Sequence, residues 1–358
     1  MRISLILSAS VCFLSSFVAR SDAQQACNGY PELCSRTYNN VTFATAHNAF
    51  AYTPPGGVAT NQDNDILTQM KDGIRAFMLD AYPTPSNNSK DIELCHTSCS
   101  LLDAGPLTKL LAQIKTFMDA NPNEVITILW ENAGNLKPAQ FQTVYAAAGM
   151  DKYSYAQTVG NTTWPTLAEM ISSGKRLVSF LDGGADATVP WLMAEYDFVF
   201  ETPWDITQGS AYPCTVDRPK DQRKQMYVLN HFIYGQFQLG TTTVDIPQPG
   251  AANQTNGPDL TNHVASCLST FKQIPSFIAV DFYEKGLLLQ TVAQVNGVKW
   301  NNRLPSQPTI KGTGSGTGAG SGSGSGGGSA NGASGLKRVG KRTLGVVAVA
   351  GGVAMMTL

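Results

Sequence analysis

Histidine is scarce in this chain: there are four in 358 residues. Imidazole is the side chain whose ordinary pKa lies near neutrality, so acid–base chemistry that relies on it must draw on His47, His96, His231 or His263. Charge is scarce as well. Charged residues make up 14%, and the formal net charge is −1. That balance excludes the general electrostatic pull of a nucleic-acid or anionic-membrane binder, so a bound phosphate must be met by a local site. No basic cluster suited to a polyphosphorylated headgroup stands in the body of the chain, and no internal repeat is evident, which excludes a repeat architecture.

Long apolar runs are missing from the body and stand at the two ends. Met1 to Ala23 has Arg2, then ISLILSASVCFLSSFVA, then small residues, the layout of a secretory signal cleaved after Ala23. A membrane-spanning helix is the alternative, and the run is short for it. At the other end, 312–335 is nearly all Gly, Ser, Ala and Thr, too poor in apolar surface to offset the cost of ordering, and reads as a flexible tether. LKRVGKRT and a terminal LGVVAVAGGVAMMTL follow over 336–358, the pattern of a glycolipid-anchor signal attached at Asn331 or Ser334. The expected product is extracellular and held at the cell surface or wall.

What remains, 24–311, is apolar enough for one large domain. It keeps six cysteines, an even number that reads as disulfides in an exported chain. The favoured pairs are Cys27–Cys34, Cys95–Cys99 and Cys214–Cys267. Zinc at Cys95, His96 and Cys99 is the competing idea, and export argues against it. Asn40, Asn87, Asn161 and Asn253 each open a glycosylation sequon.

Short β-branched or aromatic runs alternate with amphipathic ones, which predicts successive βα units. Eight strands are expected, at 41–46, 74–80, 91–95, 124–130, 176–181, 197–201, 226–231 and 276–282. Helices are expected over 63–71, from Pro106 through LTKLLAQIKTFMDAN, from Pro138, from Pro165, and through HVASCLSTFK. The stretches 208–224 and 234–260 read as irregular. A single α/β domain of the TIM-type (β/α)8 barrel fits this alternation, and such barrels carry their chemistry at the carboxyl ends of the strands. There the sequence places His47 and Asn48, Asp80, His96, Glu131 and Asn132, Asp182, Glu201, Asn230 and His231, and Asp281. Two imidazoles facing one substrate can serve as base and acid.

His47-Asn48, GIRAFMLD followed by Cys95-His96, and VITILWEN resemble the X-region of phosphatidylinositol-specific phospholipases C. NQ at Asn61-Gln62, ANP ending at Pro122, WPTL and FIAVDFY bring the chain closer to secreted, often glycolipid-anchored PLC-like phosphodiesterases of fungi and plants. The likeness spans roughly residues 40–300, nearly the whole folded part. It implies a distorted TIM barrel acting on a phosphodiester, with a phospholipid among the candidate substrates. His47 would then assist the attacking hydroxyl or stabilise the phosphoryl group, and His96 would protonate the departing alkoxide. In calcium-dependent relatives the metal ligands correspond to Asn48, Met78, Asp80 and Glu131. A thioether is no ligand for a hard cation, so a calcium or magnesium site at Asn48, Asp80 and Glu131 is expected with one ligand missing.

Arg75, Asp281, Trp204 and Tyr283 complete the candidate substrate-binding set. Each has a plainer reading: Arg75 as a structural partner, Asp281 as the orienter of His47 or a strand cap, and the two aromatics as core. A monomer without nucleic-acid partners is expected. Two rivals stand beside the phosphodiesterase. One is a barrel that binds without turnover, which Met78 favours. The other is a glycosidase using Glu131 with Asp80 or Glu201, which leaves both histidines without a role.

Overall fold

The computed structural model describes residues 26–52, 59–85, 90–207, 211–239 and 242–308. The chain divides into units Met1–Ile310 and Lys311–Leu358. The second unit, with the expected tether and anchor signal, lies outside the described residues, as do the leader and Asn87.

In chain order the strands are β1 Phe43–Ala46, β2 Ala76–Pro83, β3 Ile92–His96, β4 Leu102–Pro106, β5 Ile126–Glu131, β6 Leu177–Leu181, β7 Leu192–Ala194, β8 Val199–Glu201, β9 Met226–Asn230, β10 Tyr234–Leu239, β11 Thr242–Pro247 and β12 Phe277–Val280. Eight of them pair side by side in parallel, in the order β7-β6-β5-β2-β1-β12-β9-β8. Every neighbour is also the next barrel strand in sequence, and the first pairs with the last through Phe43↔Phe277 to Ala46↔Val280. The result is a TIM-type barrel left unlaced along one seam, between β7 and β8, where the four-residue helix Glu195–Phe198 connects the two strands.

The period of two along each strand sorts the side chains into two layers. Phe43, Ala76, Leu129, Val178, Phe180, Val199, Val228, Phe277 and Ala279 form one buried cluster. Their alternates Ala44, Phe77, Ile128, Leu177, Phe200, Leu229 and Ile278 belong to a second one, shared with Leu107, Leu111 and Ile114 of the helix Leu107–Ala120. The first cluster fills the barrel and the second seals sheet to helix. Following the inner parity to the carboxyl ends leads to His47, Asp80, Glu131, Asp182, Glu201, Asn230 and Asp281, so one periodicity delivers seven polar side chains to one mouth.

Local signals account for the helices. Thr166 caps Leu167–Ser172 in a reciprocal box with Glu169, and Asp65 caps Ile66–Asp72 through the Thr68 amide. Arg176 is buried and donates to the carbonyl of Met118 in the last turn of Leu107–Ala120, which has no partner within the helix, and to those of Asn121 and Glu124 just beyond it.

Several expectations need correction. DIELC is no barrel strand: β3 runs antiparallel to β2 and β4 as a side hairpin. The missing barrel strand is β7, three residues inside WLMAEY and too short to show a period. Part of 197–201 is the helical turn Glu195–Phe198. The region 234–260 holds the β10–β11 hairpin and short helical turns, and the helix Leu288–Val295 went unpredicted. The three favoured disulfides are present, and Cys95–Cys99 removes the thiolates a zinc site there would need. Asn40, Asn161 and Asn253 are exposed, as glycan acceptors must be.

The loop after β12 depends on Asn256, whose amide donates to the carbonyls of Asp281 and Phe282. Gly286, at φ +83°, lies so close that an added Cβ would sit 2.5 Å from the Asn256 carbonyl carbon and oxygen. Gly286→Ala should therefore cost about 1–3 kcal/mol, read as a lowered Tm with unchanged far-ultraviolet circular dichroism. An unaltered melt would show that the loop yields without strain.

Candidate active site

A cleft of about 420 Å³ opens at the carboxyl ends of the strands. His47, Asn48, Met78, Asp80, His96, Glu131, Trp204 and Arg218 are among its walls. The two candidate histidines therefore meet, although they arrive differently. His47 follows β1 directly, whereas His96 is carried in by the side hairpin.

Each ring is tethered through Nδ1. His47 Nδ1 lies 2.8 Å from Asp281 Oδ1, and Asn61 donates to the same oxygen at 3.0 Å. The ring stacks on Phe232 with centroids 3.7 Å apart and planes 4° from parallel. Gln62 donates to the carbonyls of His47 and Val280, pinning the end of β1 to the end of β12. That is the structural meaning of the NQ pair. His96 Nδ1 lies 2.7 Å from the Ala59 carbonyl, which only accepts, so Nδ1 carries the hydrogen. In both rings Nε2 is the nitrogen left for chemistry. Burial, and then the nearby His47, hold His96 below the ordinary imidazole pKa, against the opposing hydrogen bond to Ala59.

The acids crowd the same space. Asp80 and Glu131 are cross-strand partners. Asp80 is buried, and its carboxyl is pushed well above the usual range by burial first and then by the charges of Glu131 and Asp182. Glu131 reaches the cleft water yet is enclosed on most sides, and it too is raised, by desolvation and then by Asp182. Deeper in, Glu201 accepts from Arg218, Asn230 and Tyr196. Its two oxygens are thus occupied, which removes it as the free carboxylate a glycosidase would need.

Asn48, Asp80 and Glu131 line the cleft as expected, and a smaller pocket that shares these three residues with it adds Asp182, on the inner parity of β6, as a fourth oxygen donor. Met78 is there as well, a residue below Asp80 on the same face. Mutually repelling carboxylates next to an amide oxygen are a donor set that suits a hard divalent cation. They are not drawn together into a closed cage: among the described residues, the one group of three or more His, Cys, Asp or Glu with ligand atoms within 4.8 Å is Cys214, His263 and Cys267, elsewhere in the fold. A cation here would complete its shell with water or substrate oxygens.

Two expected substrate residues are displaced. Arg75 precedes β2, at the amino ends of the strands, where it binds Glu124 at 2.7 Å and the carbonyls of Met70 and Ile74 and lies over Phe117. Tyr283 is 1% exposed, and its hydroxyl donates to Asp72 and accepts from Asn64. It is core. Asp281 is the partner of His47, while Trp204 does stand at the mouth, 37% exposed beneath the Arg218 guanidinium. His231 turns inward to His263.

Arg218, Phe232, Tyr234 and Tyr82 were missed. Arg218 comes from a loop without periodicity, and nothing nearby in sequence marks it. Phe232 and Tyr234 have a weak signal, since they directly follow the strand-end pair Asn230-His231.

The family described as PI-PLC X 1 matches residues 33–296. The chain is 33% identical to the PI-PLC X domain-containing protein 1 of Arthroderma benhamiae, over 76% of this chain and 90% of that protein. It is 31% identical to an uncharacterized secreted protein of the same fungus, over 79% of this chain but 66% of the relative, slightly under two thirds of its length. Among solved structures, the phosphatidylinositol-specific phospholipase C of Listeria monocytogenes is similar at 16% identity and TM-score 0.48, covering 76% of this chain and 97% of that one. Among the described residues no helix is long and apolar enough to cross a membrane.

The state of Asp80 generates a test. A carboxyl whose folded pKa is raised loses stability as pH climbs from the unfolded value toward the folded one. Asp80→Asn, melted in the presence of a chelator, should raise Tm by roughly 2–4 °C at pH 8, the shift about 1 kcal/mol produces in a large domain. The gain should shrink toward pH 4. A variant less stable than wild type at every pH would contradict the crowding of charges described here.

Proposed function

The chain belongs to the PI-PLC X family, and from that premise we propose that its cleft cleaves a lipid- or sugar-linked phosphodiester by histidine acid–base catalysis. The observation that carries the proposal is the convergence of His47 and His96 on one cleft, each tethered through Nδ1. His47, donating Nδ1–H to Asp281, presents Nε2 to take the proton of the attacking hydroxyl, whether this belongs to the substrate or to water. His96 returns a proton from Nε2 to the departing alkoxide. Its depressed pKa makes the protonated ring a strong acid, and an incoming phosphate anion favours that form.

Asn48, Asp80, Glu131 and Asp182 would hold a calcium or magnesium ion, which when bound neutralises charge on the phosphoryl oxygens. The Arg218 guanidinium stands in the same cleft with one bond to Glu201, and its charge serves the same end. Three disulfides and exposed sequons support export, and an extracellular, glycolipid-tethered monomer is the setting we propose. Met78, a thioether among hard donors, favours a second reading in which the barrel binds phosphodiesters without turning them over.

His96→Ala and His47→Ala should each lower kcat/KM on a susceptible diester, phosphatidylinositol being the first to try, by at least about 100-fold. Wild-type speed in His96→Ala would end the assignment. Absence of product from the wild type, with diester still bound, would establish the binding-only reading. Because His96 must enter the reaction protonated, kcat/KM of the active enzyme should fall as pH rises through a value below 6.5, the ordinary imidazole pKa. A descending limb above pH 8 would remove His96 as the acid.

A further inference from the structure

We propose that Glu284 is a positioning residue for His47: buried against Asp63 and Lys285, it locks together the two chain segments that hold the imidazole, and it does so as a neutral acid. This role rests on the acid–base part given to His47 above.

The two segments are 61–63 and 281–285, the turn after β12, and they are zipped residue by residue. Asn61 donates to Asp281 Oδ1 at 3.0 Å, and its carbonyl accepts from the Phe282 amide at 2.8 Å. Gln62 Oε1 accepts from the Tyr283 amide at 3.2 Å. Asp63 Oδ2 lies 2.9 Å from the Lys285 ammonium. At the head of this zipper Asp281 holds His47 Nδ1, and at its tail stands Glu284. The turn needs the support. Phe282 sits at φ +50°, a conformation that a bulky side chain keeps only where its surroundings impose it.

Charge decides the state of Glu284. Its side chain is fully buried, and neither carboxyl oxygen meets a donor in hydrogen-bond geometry. Its own backbone amide is close, and the Lys285 ammonium lies 3.7 Å from Oε1, farther than from Asp63. One ammonium thus serves two carboxyls, and an ionised Glu284 would leave a buried negative charge in excess. The Asp63 carboxyl stands within hydrogen-bond reach of it, and two carboxyls bond only when one of them carries a hydrogen. A protonated Glu284 supplies that hydrogen and leaves Lys285 and Asp63 as the charged pair.

The same forces set the pH at which the lock opens. Burial first, and then the Asp63 charge, push the Glu284 carboxyl up to about 7, against its own backbone amide and Lys285. Tyr283, the further titratable group that feels Glu284, is a phenol bonded to Asp72. Below pH 7 the zipper is closed. Above it two carboxylates face each other at the tail, the turn at Phe282 is free to relax, and the register that aims Asn61 and Asp281 at the ring loosens. A misaligned base costs turnover more than binding.

The proton that His47 Nδ1 donates to Asp281 is the probe, followed by nuclear magnetic resonance in the full chain and assigned by its loss in His47→Ala. It is seen without turnover. In the wild type the signal should be sharp at pH 6 and fade as pH rises through about 7. In Glu284→Gln, whose side-chain amide donates to Asp63 at any pH, it should persist to pH 8. On a susceptible diester at pH 6, Glu284→Leu should lower kcat about 10- to 100-fold with KM little changed, while Glu284→Gln keeps the wild-type kcat. Signals that fade together in the wild type and Glu284→Gln overturn the proposal, and this comparison decides even where Glu284→Leu does not fold. A folded Glu284→Leu with wild-type signal and kcat overturns it as well. A wild type that turns over no diester but shows the pH-dependent signal supports the positioning of the ring and rejects the phosphodiesterase reading alone.

Discussion

The contact between His47 and Asp281 is the one on which the rest of the arrangement depends. It exists because the first barrel strand pairs with the last, residue for residue, so that the positions just beyond them meet. Gln62 ties the same two strand ends together and Asn61 braces the carboxylate. If β1 slipped by one residue against β12, the inner and outer layers of that strand would exchange and the imidazole would face the helices. Barrel closure and the preparation of the histidine are therefore one event, enforced by the burial of Phe43 and Phe277 in the barrel interior.

The acids next to this pair pull in the opposite direction. Asp80, Glu131 and Asp182 stand at neighbouring strand ends, and the fold keeps them there although burial and mutual repulsion drive the Asp80 carboxyl well above its ordinary range. Hydrophobic burial throughout the barrel and its helical coat offsets that cost. Arg218 relieves the charge at Glu201 only in part, since its Nε is buried without a partner.

Much of this could be read in advance. Seven of the eight expected strands lie in the barrel sheet or overlap it, because their apolar runs are bounded by turns and capped helices. His47, Asn48, Asp80 and Glu131 share one cleft because each ends, or directly follows, a barrel run whose parity is visible. β7 has three residues and no period. The β3–β4 hairpin looks like a barrel strand because a buried edge is as apolar as a buried centre. Arg75 and Tyr283 take the plainer of their two readings: Arg75 stands before its strand rather than after it, at the far end of the barrel, and Tyr283 turns into the core.

By itself the sequence determined the alternation of strands and helices, the inner-face parity that carries seven polar side chains to one rim, and the set of cysteines able to pair. Those are local properties, written in periods of two and 3.6 and in spacing. The tertiary structure decided which end of the barrel each residue occupies, that a loop arginine enters the cleft, that the side hairpin swings His96 toward His47, and that the Nδ1 atoms of His231 and His263 meet at 3.0 Å. Each of these depends on contacts between residues far apart in the chain, and such contacts are chosen only when the whole apolar surface is buried at once.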